Sequence, residues 1–150
     1  GDIKSLKDLK GKHFGYVDPK SASGYLYARH ILKSNGLDPD KIFGKVSFMG
    51  THDTVIKAVL NGEIDAGATF NEAIDLAKSR GLNINALRII AETEDIPKDA
   101  LACNPNMPEE MISLLQKAFI EFKDFRGLKT NVNGFIASDD KRYDVIRAIM

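Results

Sequence analysis

The chain is poor in cysteine, proline and aromatics: one Cys, five Pro and no Trp in 150 residues, with Phe and Tyr together at 8%. A lone Cys103 excludes an internal disulfide framework and any cysteine-built zinc cluster, and leaves small core filler as its expected role. Neither sign of charge is in excess. Lys plus Arg and Asp plus Glu are 21 each, and no long block of one sign occurs, so there is no electrostatic footprint for nucleic acid or a membrane surface. No apolar run approaches the roughly 18 residues of a membrane span. The chain opens on Gly1 with no basic-then-apolar leader, so its start reads as a processed end or an expression boundary, silent about export. Catalytic signatures are also missing: no G-x-S-x-G, H-E-x-x-H, Walker A or G-x-G-x-x-G run is present. The spacing of His13, His30 and His52 matches no common metal-ligand pattern. No metal or other cofactor is expected.

What the sequence does have is alternation. Short β-branched or aromatic runs (13–17, 45–49, 64–68, 87–91) alternate with helix-period segments stopped by Asn35-Gly36, Asn61-Gly62 and Gly81. That order predicts an α/β fold with a mostly parallel sheet, three-layered with helices on both faces. One helix is expected over 22–34 with Tyr25, Ala28, Ile31 and Leu32 inward, and another after position 53 with Val55, Ile56, Val59 and Leu60 inward. A third is expected over 70–80. Beyond Pro97 the character changes. Residues 100–103 are a strand or a crossing segment, and Pro108-Glu109-Glu110 opens the longest helix. Its stripe of Met111, Leu114, Leu115, Ala118, Phe119 and Phe122 is expected to be buried. A polar loop is expected over 126–133 and a last helix over 143–150.

In parallel sheets ligands gather at the C-terminal strand ends. There the first turn leads into Ser21-Ala22-Ser23-Gly24-Tyr25, a helix start with two hydroxyls and a glycine. Helix-opening N–H groups lack internal partners and the macrodipole is positive there, so an oxyanion is a natural ligand. Ser is equally a favoured N-cap, and an ordinary cap is the competing reading. His52 opens the next helix and can donate a hydrogen bond to an oxyanion, with part of its population charged near neutral pH. Glu72 and Asp99 are surface carboxylates by default; beside an anion they would accept from a P–OH or a ligand ammonium. A Ser-His-Asp relay through His52 and Asp53 is disfavoured, because adjacent helical residues diverge by about 100°.

Ser5-Leu6 with Asp8-Leu9-Lys10-Gly11-Lys12, then Val17-Asp18-Pro19, Ser21-Ala22-Ser23-Gly24-Tyr25, Gly50-Thr51-His52-Asp53, Gly62-Glu63-Ile64-Asp65-Ala66 and Ile96-Pro97-Lys98-Asp99 form one combination. It resembles the phosphonate/phosphite substrate-binding proteins of ABC transporters. The resemblance implies a type II periplasmic-binding-protein fold of two lobes closing on a ligand, and an extracytoplasmic, non-enzymatic protein that serves a permease. It also implies that Ser21, Ser23 and the backbone at Ala22 and Gly24 hold phosphonate oxygens, with His52 as a donor and Glu72 and Asp99 lining the pocket. Ala22 stands where the family usually carries Thr, one hydroxyl fewer. The chain starts where the family's second lobe starts, so a piece lacking most of the first lobe is expected. On that pattern residues 2–92 are the second lobe and 93–150 a return segment with C-terminal helices. Self-association could cover apolar surface meant for the first lobe. Alternatives are an extracytoplasmic sensor domain of the same fold and, more remotely, a phosphoester hydrolase using His52.

Overall fold

The computed structural model describes residues 2–127 and 132–150. It divides into two compact units, one running to Ile96 and including Ile146–Met150, the other Pro97–Val145. Of the polar loop expected over 126–133, positions 128–131 lie outside the described residues.

The first unit is built on a three-stranded parallel sheet. Strands β1 (His13–Tyr16), β2 (Lys45–Phe48) and β3 (Ala66–Gly67) lie in the order β2-β1-β3, with Phe14 opposite both Val46 and Ala66. Side chains alternate across the central strand, and each face has its own core. Phe14 and Tyr16 point to one face and pack with Leu9, Leu32, Ile42 and Ala68. Val17 points to the other and packs with Val55, Ala58 and Ile64. Helix α1 (Tyr27–Ser34) thus covers the first face through Leu32, and α2 (His52–Leu60) the second through Val55 and Ala58. Helix α3 (Asn71–Ser79) packs beside α2. The architecture is α/β, as the alternating pattern predicts. The three helices stop where Gly36, Gly62 and Gly81 take positive φ, a conformation that costs glycine nothing.

Four expectations are corrected. The segment 87–91 is not a strand but lies outside any regular element, with Ile89 mostly exposed; β3 is only two residues long and offers too short a template for a further ladder. The third strand itself shrinks from 64–68 to Ala66–Gly67, with Ile64 turned into the second core. The first helix does not start α-helically: residues Ala22–Leu26 form a π-wound turn before α1. The fourth correction lies in the second unit, where α4 (Glu109–Glu121) is the longest helix. Its apolar stripe is not buried, since Met111, Leu114, Phe119 and Phe122 are 41–61% exposed. Phe125, Val132 and Phe135 of the same unit face it across an open groove of about 430 Å³. Residues 100–103 form no helix or strand, and Cys103, expected as small core filler, is exposed. Of the last expected helix only α5 (Asp144–Arg147) forms, after a 3-10 turn at Asp140–Tyr143.

Candidate functional site

Because the strands are parallel, the segments after β1, β2 and β3 emerge at one edge of the sheet and lead into the π-wound turn, α2 and α3. Three helix beginnings therefore share that edge.

The first is the most elaborate. Ser21 N–H donates to the Asp18 carbonyl at 3.1 Å, and Ser21 Oγ accepts from Gly24 N–H at 3.0 Å. Ser21 is thus a helix cap, the competing reading of its hydroxyl, and its O–H proton remains available to a ligand. The turn then widens: Leu26 N–H reaches back to the Ser21 carbonyl, and Tyr27 N–H to that of Ala22, each five residues away. Such π turns often accompany functional sites. Among the described residues the Ala22 and Ser23 N–H groups and Ser23 Oγ meet no protein partner. Val17 N–H donates to the Gly24 carbonyl at 3.1 Å, so the turn is tied to the end of β1.

At the second helix start Thr51 Oγ1 accepts from Thr54 N–H at 3.1 Å, which caps α2 and releases His52 from capping. The His52 ring instead reaches the third loop. Its Nδ1 lies 3.1 Å from Thr69 Oγ1, and the ring meets that of Phe70 at 4.5 Å between centroids and 85° between planes. Burial pushes its pKa below the usual 6.5. The charged share of the ring near neutral pH is therefore smaller than in a free histidine. Asp53 does not orient it: that carboxylate pairs with Lys57 at 2.7 Å and Arg80 at 3.4 Å. The relay a hydrolase would need is not formed. Among the described residues no group of three or more His, Cys, Asp or Glu is placed to hold a metal ion.

The description "ABC transporter, phosphonate, periplasmic substrate-binding protein" belongs to a family whose model matches residues 1–143. The chain belongs to this family. A curated relative, the phosphate-import protein PhnD of Mycolicibacterium smegmatis, is 28% identical over 98% of this chain and 48% of its own length. A probable ABC transporter phosphite-binding protein, PhnD1 of Prochlorococcus marinus, is 38% identical over 45% of this chain and 23% of its own. Among solved structures, a binding-protein component of an ABC phosphonate transporter from Pseudomonas aeruginosa superposes with a TM-score of 0.78 at 26% identity, over 99% of this chain and 53% of that one. Prochlorococcus PhnD1, solved with methylphosphonate, shares the fold at a TM-score of 0.72 and 22% identity, over 99% and 59%. The chain spans about half the length of the relatives it matches most fully.

Within this member of the phosphonate-binding family, Ser21, Ala22, Ser23, Gly24 and His52 all sit at the edge where the strands end, and half-buried Glu72 stands in the first turn of α3. Asp99 belongs to the second unit, exposed in extended chain. Sequence reasoning missed Thr69 and Phe70, the two side chains that hold His52. The parallel alternation puts the 50–53 and 69–72 loops on one sheet edge, but no sequence signal says that the His52 ring reaches Thr69 and Phe70 there.

Proposed function

We propose that this chain is the anion-holding part of an extracytoplasmic solute-binding protein that presents a small phosphorus oxyanion, a phosphonate first, to an ABC-transporter permease. The observation that carries the reading is the π-wound turn, whose N–H groups at Ala22 and Ser23 and hydroxyl at Ser23 have no protein partner among the described residues, with a histidine on the neighbouring loop at the same sheet edge. Phosphonate oxygens accept from these groups and from the Ser21 hydroxyl, and the positive helix end favours their charge. Neutral His52 contributes through an N–H without adding a second formal charge. Glu72 accepts from a ligand ammonium or P–OH. The part of Asp99 rests on the family motif alone. Residues 2–92 are read as the second lobe and 93–150 as the return segment. The family is one of transport binding proteins, and binding without turnover is the activity assigned.

The test is a calorimetric and thermal-shift titration with methylphosphonate, 2-aminoethylphosphonate, phosphite, phosphate and sulfate. A ligand at about a hundred times its dissociation constant adds roughly 2.7 kcal/mol to stability. Ser23→Ala should leave the unliganded protein within about 0.5 kcal/mol of wild type. It should weaken phosphonate binding about tenfold or more, the worth of one hydrogen bond to a charged group. Equal binding by Ser23→Ala, or no response to any phosphorus oxyanion, would overturn the reading.

A further inference from the structure

Thr69 is read so far only as the neighbour of His52, yet the geometry gives it a task. An imidazole that is neutral carries its single proton on either Nδ1 or Nε2, and the hydrogen bond at one nitrogen decides which. Here Nδ1 has a partner, Thr69 Oγ1 at 3.1 Å, and Nε2 has none among the described residues. The Thr69 hydroxyl in turn has no other partner among the described residues. If it accepted from Nδ1–H, its own proton would go unused and Nε2 would present a lone pair, which repels an oxyanion. If it donates to Nδ1, both groups are satisfied and Nε2 carries the proton. The Phe70 ring, at 85° to the imidazole with 4.5 Å between centroids, restricts rotation that would exchange the two nitrogens.

We propose that Thr69 is a positioning residue: by donating to His52 Nδ1 it fixes the Nε2–H tautomer, and so makes a neutral ring a hydrogen-bond donor, with Phe70 holding the ring plane. The donor role toward a bound anion rests on the reading given under Proposed function, whereas the tautomer is a property of the unliganded chain. The two stand or fall by different measurements. His52 is supplied by the loop after β2 and Thr69–Phe70 by the loop after β3, so the contact also ties the outer two of the three loops together.

The experiment is long-range ¹H–¹⁵N correlation on the ¹⁵N-histidine-labelled full chain at neutral pH, with His52 assigned by its absence from His52→Gln. The expected wild-type spectrum shows a protonated, pyrrole-type Nε2 and an unprotonated, imine-type Nδ1. Thr69→Val, which keeps the shape and removes the hydroxyl, should convert His52 to a tautomer mixture, and Thr69→Ser should restore the wild-type pattern. A merely structural threonine would leave the tautomer of Thr69→Val unchanged. Wild-type Nδ1–H, or a wild-type pattern that persists in Thr69→Val, overturns the proposal. Thr69→Ser and the wild-type spectrum keep the test decisive should Thr69→Val not fold. In the binding arm, methylphosphonate affinity should fall about 3- to 10-fold in Thr69→Val, one ordinary hydrogen bond, and recover in Thr69→Ser. If no wild-type binding is found while the tautomer responds as stated, the anion-binding reading fails and the positioning role stands.

Discussion

Gly24 is buried where the π-wound turn meets the end of β1, and replacing it with alanine tests how tightly that turn is seated. An added Cβ would lie 2.6 Å from Val17 Cβ and 2.9 Å from Ser21 Oγ, against an ordinary contact range that begins at 3.4 Å. Val17 cannot swing aside, because a β-branched side chain at a strand end has little rotamer freedom and this one is packed in the second core. The turn must move instead, which strains the Val17 N–H bond to the Gly24 carbonyl and the Gly24 N–H bond to Ser21. Overpacking of this kind costs about 1–3 kcal/mol. Gly24 does not use a positive φ, so alanine returns about 0.5–1 kcal/mol through helix preference and a less entropic unfolded chain. The net expectation for Gly24→Ala is a loss of about 1–2 kcal/mol in urea denaturation followed by circular dichroism. Val17→Ala alone loses about 1.6 kcal/mol at roughly 0.8 per buried methyl. It removes the γ-methyls but keeps the Cβ that the added methyl meets at 2.6 Å, and Ser21 Oγ stays at 2.9 Å, so it relieves only part of the clash and the double variant should remain less stable than Val17→Ala. Gly24→Ala as stable as wild type, or a double variant as stable as Val17→Ala, would refute this picture of the turn.

Tyr16 is 1% exposed and its hydroxyl makes no hydrogen bond of good geometry among the described residues; burial pushes its pKa up to about 12, outweighing the nearby Arg29 guanidinium, which lowers it. Tyr16→Phe should be neutral or stabilising by up to about 1 kcal/mol in the same denaturation assay, and a loss of that size would show that the hydroxyl is bonded in solution. His52 has a folded pKa below its ordinary 6.5, so the unfolded chain binds more protons between the two values. Its contribution to stability is complete above pH 6.5 and declines as pH falls toward the folded value. Melting curves from about pH 7.5 to 5 should show a steeper decline for wild type than for His52→Gln, and parallel curves would contradict a desolvated ring. Leu114, 61% exposed on α4, should tolerate Gln within about 0.5 kcal/mol, where a buried stripe would lose several times more.

The sheet and the helices on its two faces were legible because their signals are local. Alternating runs, Asn-Gly stops and the inward sets at Leu32, Val55 and Ile56 follow from strand and helix periods within about ten residues. The anion-type turn was legible as chemistry at positions 21–24, but its π winding was not, since the Leu26 bond to Ser21 differs from an α-helical bond by one residue of register. The His52 environment was illegible for another reason. Desolvation, Phe70 and Thr69 come from the loop after a strand that is not even adjacent to β2, and such a contact has no period to read. The α4 stripe failed in the opposite sense: Leu114 and Phe119 have the spacing of a buried face, and spacing says which side is apolar without saying that anything covers it.

The same donor count sets the affinity scale on which the proposed function should be judged. The Ala22 and Ser23 N–H groups, the Ser21 and Ser23 hydroxyls and one His52 N–H offer an oxyanion five bonds, each worth about 1.5–3 kcal/mol with a charged acceptor. Against them stands the loss of ligand translational and rotational freedom, about 4 kcal/mol at its lowest. With each bond at the weak end of that range, the net gain of about 3.5 kcal/mol corresponds to a dissociation constant of roughly a few millimolar at most. Micromolar binding needs about 4 kcal/mol more, the worth of about two further bonds to charged groups. Glu72 can supply one of them only to a ligand that carries an ammonium or a protonated oxygen. A preference for 2-aminoethylphosphonate over methylphosphonate would therefore measure Glu72, whereas equal millimolar binding of both would mean that the turn and His52 carry the affinity of this chain. Submicromolar binding of methylphosphonate, which has no ammonium, would mean either that these bonds each reach the upper part of their range or that further donors act, and Ser23→Ala distinguishes the two by losing far more than tenfold in the first case.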